Sequence, residues 1–286
     1  MPIELEISKF DPRILEKRRL NGHSPVILFV ARRGSGKSTA LVDILSYFNN
    51  DIPFVCMSGT EEVNGFYKKY IHEACIYYEF DKNVIENIME KQKELGSEYE
   101  RKGEDFKKHP EHGVGILLDD LSYDKAIMKN KCFSEIFKNG RHTNIITIIV
   151  FQYITDIHPS QRDNADYVFV SSQNKKDGVD KLYKYFFGMF DKVADFKKVL
   201  DKCTENYGML VLDNNSRSNR IEDQVFWYRA DVNKSFRVCE KMWPIWNKQL
   251  KKEEDEDIGK TFKRPLAESD IIVKMKPSKK LDMDFT

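Results

Sequence analysis

The chain has 286 residues, of which 41% are hydrophobic and 12% aromatic, and it carries a formal net charge of +1. That composition is globular and supplies one large domain or two small ones. Near-neutrality argues against a protein that coats nucleic acid with a uniformly basic surface and leaves room for a local basic patch. Five scattered cysteines with no CxxC pair suggest neither a disulfide framework nor a zinc site, and they fit a reducing compartment. MPIELEISKFDPR places charges where a secretory signal needs its apolar core, and IITIIV is far shorter than the roughly 20 residues that span a bilayer. A soluble intracellular protein is expected, with no transmembrane segment.

NGHSPVILFV reads as a turn followed by a buried strand, because continuous β-branched runs bounded by turn residues mark parallel sheets. A helix follows from near Gly36, with Leu41, Ile44, Leu45 and Phe48 on one face. DIPFVCMS and EACIYYEF are further strand candidates. DKNVIENIMEKQKELGSEYERKGEDFKKHPEHG is an amphipathic helix on the spacing of Val84, Ile88, Leu95 and Tyr99, expected to end around Pro110. VGILLDD is a strand ending in two carboxylates. KCFSEIFKNG is a helix, NIITIIVFQY and ADYVFVSS are strands, GVDKLYKYFF and FDKVADFKKVLDKC are helices, and YGMLVLDN and QVFWYRAD close the alternation. Strands alternating with helices indicate an α/β fold with a mostly parallel sheet covered on both faces. The expected division is an N-terminal extension over 1–24, a nucleotide-binding domain over 25–250, and a charged linker and tail over 251–286.

The segment ARRGSGKST matches the phosphate-loop pattern G-x-x-x-x-G-K-[ST] except that Ala31 replaces the first glycine. Gly34 and Gly36 let backbone N–H groups turn inward around a β-phosphate, and the helix behind adds partial positive charge. Lys37 would reach the β- and γ-phosphates, and the Ser38 hydroxyl would complete a Mg²⁺ shell. Arg33, Gly34, Ser35, Gly36, Lys37, Ser38 and Thr39 form the expected phosphate-contacting set. In GILLDDL, Asp119 would orient a Mg²⁺-bound water and Asp120 would polarise the attacking water. Strand-end carboxylates also cap helices, which is the plainer reading of this pair. Gln152 ends the strand NIITIIVFQ, and the carboxyl ends of parallel strands face the ligand crevice, so it is a candidate sensor of the γ-phosphate. Arg141 stands at the opposite end of that strand, too far to serve its own nucleotide. It and Arg162 are alternative arginine fingers for a neighbouring subunit, or else surface ion-pair partners.

ARRGSGKST, GILLDDL, NGRHTNIITIIVFQY and RDNADYVFV, in that order, resemble the genome-packaging ATPases of large double-stranded DNA viruses, the poxvirus-type members of the HerA/FtsK superfamily. The likeness runs from about Ser24 to Asp231. It implies a RecA-like P-loop NTPase fold and ATP hydrolysis with Mg²⁺. It further implies a homo-oligomeric ring that pulls double-stranded DNA into a capsid, with capsid proteins as partners. Such a protein works in the host-cell cytoplasm at the site of virus assembly, and carriage in the virion is a further expectation. The resemblance matches Lys37 and Ser38 to the first motif, Asp119 and Asp120 to the second, Gln152 to the sensor and Arg141 to the trans arginine. Lys125, Lys129 and Lys131, or Lys175 and Lys176, are candidates for gripping DNA phosphates, and solvated surface charge is the alternative for each. The rival readings are a cellular translocase of the same superfamily, a nucleotide-stabilised assembly protein, and a GTPase. The last is suggested by Asn174 to Asp177, which match the guanine-recognition pattern Asn-Lys-x-Asp, although DDLSYD lacks the Asp-x-x-Gly a GTPase needs.

Overall fold

The apolar runs form the strands β1 (Val26–Val30), β2 (Phe54–Ser58), β3 (Ile76–Tyr77), β4 (Val114–Asp119), β5 (Ile145–Phe151), β6 (Tyr167–Val170), β7 (Met209–Asp213) and β8 (Val225–Tyr228). Every residue of β1, β4 and β5 is buried, as expected of strands covered on both faces. The computed structural model describes residues 5–48, 52–121, 127 and 130–256. The strands make one sheet in the order β3-β2-β4-β5-β1-β6-β7-β8. The first six in that order are parallel neighbours, and β7 runs antiparallel to both β6 and β8.

The longer helices are α1 (Arg13–Leu20), α2 (Lys37–Ser46), α3 (Lys82–Arg101), α4 (Lys131–Asn139), α5 (Lys176–Tyr185), α6 (Val193–Cys203) and α7 (Trp243–Glu256). They cover the sheet as two cores. On one face Val26, Leu28 and Val30 pack with Ile85 and Ile88 of α3, Phe133 and Phe137 of α4, and Phe196 of α6. On the other, Ile27 and Phe29 pack with Leu41, Ile44 and Leu45 of α2 and with Phe10 and Leu15 from the N-terminal segment. The period-two alternation of β1 is thus divided between the two layers.

Several boundaries differ from the sequence expectation. The strand expected in EACIYYEF shrinks to the two residues of β3, because Glu73–Cys75 form a tight turn in which His72 Nδ1 accepts the Ala74 N–H. The helix expected to run to Pro110 stops at Arg101, where Gly103 at φ +75° takes the chain out of helical geometry. The N-terminal segment is ordered against the sheet: Phe10 donates to the Trp227 carbonyl at 2.8 Å, Trp227 donates to that of Ser8 at 2.9 Å, and α1 follows. The expected boundary between 250 and 251 falls inside α7.

Candidate functional site

The order β4-β5-β1 brings the tips of three parallel strands to one edge. Asp119 at the end of β4 lies level with Val150, and Val30 at the end of β1 lies level with Phe151, so the segments leaving β1, β4 and β5 open side by side. This is the edge at which ligands bind in open parallel sheets.

The loop from Ala31 to Gly36 leaves β1 under tight restraint. The Ala31 N–H donates to the Phe151 carbonyl at 2.9 Å. Arg32 donates through its backbone to Ser171 Oγ at 3.3 Å and through its guanidinium to Ser172 Oγ at 3.1 Å, tying the loop to the end of β6. Ser35 Oγ closes the turn onto the Arg32 carbonyl at 2.7 Å. Gly34 and Gly36 hold φ of +75° and +81°, the left-handed region in which only glycine is free of strain. Ala31 is fully buried in the layer beneath α2, so a methyl group at this position fills core space and faces no ligand. Gly36 stands at the N-cap of α2 and has no side chain to cap the first-turn N–H groups. Arg33, Gly34 and Thr39 are exposed, Gly36, Lys37 and Ser38 half-buried, and Ser35 buried.

Two carboxylate arrangements face this loop. Lys37 Nζ donates to Asp119 Oδ1 at 2.7 Å, and the Tyr67 hydroxyl donates to Asp119 Oδ2 at 2.6 Å. Burial, and then the Asp119 charge, push the Tyr67 hydroxyl well above the ordinary phenol range, which keeps it a neutral donor. Tyr67 sits in a loop fastened by buried Glu61, whose two carboxylate oxygens accept the backbone N–H groups of Phe66 at 2.9 Å and Lys68 at 3.0 Å. Next along the chain, Asp120 adopts φ +55°, a strained setting for a non-glycine residue, and accepts a hydrogen bond from Gln152 Nε2 at 2.8 Å. Lys37, Asp119, Asp120 and Gln152 are therefore joined pairwise across the strand tips. Tyr67 was not legible in the sequence. FYKKY is aromatic enough to signal packing, and nothing in it points to a carboxylate 52 positions further on.

The oxygen donors suit Mg²⁺, which takes one or two carboxylates and completes its shell with phosphate oxygens and water. Asp119 and the Ser38 hydroxyl are the donors at hand. Among the described residues no group of three or more His, Cys, Asp and Glu side chains is placed to hold a metal ion. The cysteines pack: burial pushes the thiols of Cys75 and Cys132 up to about 12 and that of Cys203 up to about 11.

The two arginines are engaged within the chain. Arg141, in the turn before β5, donates to the Asn164 carbonyl at 2.8 Å and stands 3.7 Å from the Asp166 carboxylate, at the opposite edge from the phosphate loop. Asp166 in turn accepts the Val26 N–H at 2.8 Å, and burial lifts its carboxyl above the ordinary range. Arg162 stacks on the Tyr185 ring at 3.8 Å. Lys131 opens α4, exposed and 3.9 Å from Glu135, while Lys175 and Lys176 are exposed at the start of α5. Lys125 and Lys129 lie outside the described residues. Asp177, the last residue of the Asn-Lys-x-Asp match, accepts an ion pair from Lys181 one helical turn on, at 2.6 Å. No helix among the described residues is long and apolar enough to cross a membrane.

Residues 13–258 match the family described as Poxvirus A32 protein. An uncharacterised protein of Acanthamoeba polyphaga mimivirus, L437, is 32% identical over 206 residues, covering 72% of each chain. Among solved structures, the conjugation coupling protein TcpA of pCW3, in a monomer form with ATPγS, aligns with a TM-score of 0.55 at 14% identity over 87% of this chain and 75% of that one. The genome packaging NTPase B204 of Sulfolobus turreted icosahedral virus 2, in complex with AMPPCP, aligns with a TM-score of 0.50 at 15% identity over 74% of this chain and all of that one. At these identities the likeness to solved structures concerns the fold, an α/β P-loop NTPase architecture of RecA-like type.

Proposed function

The chain belongs to the poxvirus A32 protein family, and from that premise we propose that it is an ATPase that drives double-stranded DNA into viral capsids as a ring of identical subunits. The observation that carries the reading is the convergence of Lys37 on Asp119 and of Gln152 on Asp120, at 2.7 and 2.8 Å, beside a loop with two left-handed glycines. Lys37 exchanges Asp119 for the β- and γ-phosphate oxygens, and the backbone N–H groups of residues 33–39 surround the phosphates. Asp119, released from Lys37 at Oδ1 and still held by Tyr67 at Oδ2, would with the Ser38 hydroxyl hold Mg²⁺ and its bound water beside the phosphates. Mg²⁺, when bound, supplies charge neutralisation at the phosphate oxygens. Asp120 accepts a hydrogen bond from the attacking water and polarises it, and Gln152 holds Asp120 in place while its amide responds to the γ-phosphate. Arg141 or Arg162 of an adjacent subunit stabilises charge developing on the phosphate, an effect worth on the order of 10³–10⁵ in rate where such arginines act.

Lys131, Lys175 and Lys176, with Lys125 and Lys129, are the cations proposed to grip the DNA backbone, giving binding that weakens steeply with salt and shows little sequence preference. The proposed partners are double-stranded DNA, further copies of the chain and a viral capsid protein, and the proposed place of action is the host-cell cytoplasm.

The test is DNA-stimulated ATP hydrolysis followed against protein concentration. Specific activity is expected to rise as subunits associate, and Lys37→Ala and Asp120→Asn are expected to abolish it. Wild-type protein that binds ATP but never turns it over, with DNA and at ring-forming concentrations, contradicts the reading. Unlabelled GTP that outcompetes ATP replaces it with a GTPase.

A further inference from the structure

A second feature of the same edge remains without a task. The segment 204–208, between α6 and β7, bends back onto the phosphate loop. Since β7 is antiparallel to β6 and Leu210 lies level with Val170, residues before Met209 project past the strand tips on the side where β1 ends. There Tyr207 lies against Gly36: a Cβ built on that glycine would sit 3.0 Å from the Tyr207 Cβ and 3.4 Å from its ring carbon Cδ1. Tyr207 is nevertheless 71% exposed.

The chain holds this position against local preference. Asn206 and Tyr207 are consecutive non-glycine residues in the left-handed region, at φ +51° and +62°. Strain of this kind persists only where surrounding structure imposes it. Here Arg229 Nη2 donates to the Glu205 carbonyl at 3.1 Å, Thr204 Oγ1 donates to that of Leu200 at 2.7 Å, and Gly208 N–H donates to that of Glu205 at 3.0 Å. Gly208 is required by space, because a Cβ there would meet the Cys203 carbonyl oxygen at 2.3 Å. A large aromatic ring is thus displayed to solvent at a strained position, beside the glycine that opens α2.

We infer that the Tyr207 ring is the platform on which the base of the bound nucleotide stacks, making Tyr207 a nucleobase-binding residue of the site. The inference rests on the reading of residues 31–39 as a phosphate site. With the triphosphate wrapped by that loop, Asp119 and Asp120 lie on the β4 and β5 side of β1, and Tyr207 lies on the β6 and β7 side. The nucleoside leaves the phosphates away from the carboxylates, and the ring is the exposed apolar surface that meets it. Stacking uses the π-face that every base possesses, so Tyr207 adds affinity for nucleoside triphosphates without itself separating adenine from guanine. Arg229 acts as a positioning residue by fixing the Glu205 carbonyl.

The test compares ATP with inorganic tripolyphosphate, each with Mg²⁺, by titration calorimetry on the full chain at a concentration below subunit association. Tyr207→Ala is expected to weaken ATP binding about tenfold, within the range measured for base–aromatic stacking. Tripolyphosphate, which has no base, is expected to bind the variant as it binds the wild type. Tyr207→Phe is expected to retain ATP affinity. Tyr207→Gly, which relieves the left-handed strain as it removes the ring, is expected to melt higher than wild type while binding ATP as weakly as Tyr207→Ala. Equal weakening of both ligands would make the ring a mere prop for the loop and overturn the inference, as would unchanged ATP binding in Tyr207→Ala. Wild-type protein that binds neither ligand would overturn the phosphate-site reading itself, a separate failure.

Discussion

Lys37 and Asp119 form an ion pair, and its strength can be measured apart from any activity. Lys37 Nζ and Asp119 Oδ1 meet at 2.7 Å with side chains only 15% and 5% exposed. At a charge separation near 3.5 Å and an effective dielectric of about 20, the Coulomb attraction is about 5 kcal/mol. Desolvation of both groups takes back a large part of this. Exposed pairs retain about 0.2–1 kcal/mol and close desolvated pairs about 1.5–7 kcal/mol, so a coupling of about 2 kcal/mol is expected here. The assay is a double-mutant cycle of Lys37→Met and Asp119→Asn by urea unfolding without nucleotide. The single substitutions are expected to be unequal. Lys37→Met strands a buried carboxylate whose remaining partner is Tyr67, whereas Asp119→Asn leaves an ammonium on a flexible stem that can return to water. The double variant recovers much of the loss from Lys37→Met. The coupling is also expected to survive molar salt, since a buried pair is poorly screened. A coupling below about 0.5 kcal/mol, the ordinary limit of additivity, would refute the pair and the exchange of partners built on it.

Tyr67→Phe removes the hydrogen bond to a charged, buried oxygen and is expected to cost about 2 kcal/mol in unfolding free energy and to raise the Mg²⁺ concentration needed for half-maximal turnover. Gln152→Glu sets a second carboxylate against Asp120. The amide donor is lost and like charges repel, so turnover should fall further than in Gln152→Ala, which removes the donor without adding a charge. Burial lifts the Asp166 carboxyl above its ordinary value of 3.8, so the protonated form favours the fold. Its contribution is complete below that pH and is lost as the pH rises through the folded value. Wild type should therefore gain on Asp166→Asn as urea unfolding is repeated from pH 6 down to about pH 3, and a loss over that interval would contradict the burial effect.

The parts of this architecture that depend on local chemistry were legible in the sequence. A glycine pattern followed by Lys-Ser implies a phosphate loop because few residues tolerate its backbone, and Gly34 and Gly36 adopt the conformations it needs. Continuous β-branched runs announced the buried strands, and the carboxylates of GILLDD and the amide of VFQ fell at strand tips because those runs end there. What escaped depends on contacts between distant segments. Tyr67 reaches Asp119 through a loop whose shape is set by Glu61, and no periodicity encodes that. The N-terminal segment lacked any strong apolar period, yet Phe10 enters an aromatic cluster with Tyr167, Phe169, Phe226 and Tyr228. The helix α3 ends at Arg101, with Gly103 in the left-handed region just beyond it, and so stops short of Pro110.

The strand β5 ties the remaining candidate, Arg141, to this chemistry. Gln152 follows its last residue and Arg141 precedes its first, and the seven residues between Ile145 and Phe151 are buried on both faces. Such a strand is about 23 Å long at the usual rise and is paired with β4 from Ile145 to Val150 and with β1 from Thr147 to Phe151, so it moves as a unit. In the proposed ring, a shift of Gln152 on loss of the γ-phosphate would therefore reach the turn that carries Arg141, linking a subunit's own site to the neighbour that Arg141 would serve. The arginine also has an intrachain task, through Asn164 and Asp166, and the two tasks separate experimentally. If Arg141 only braces its own chain, Arg141→Ala should cost about 1–2 kcal/mol of stability, and its specific activity should track the folded fraction at every protein concentration. If it acts in trans, the variant should lose the rise of activity with concentration even where it is fully folded, and mixing it with Lys37→Ala protein should restore turnover, because a wild-type arginine then faces a wild-type site. Absence of that restoration in rings shown to contain both variants would leave Arg141 as a brace alone.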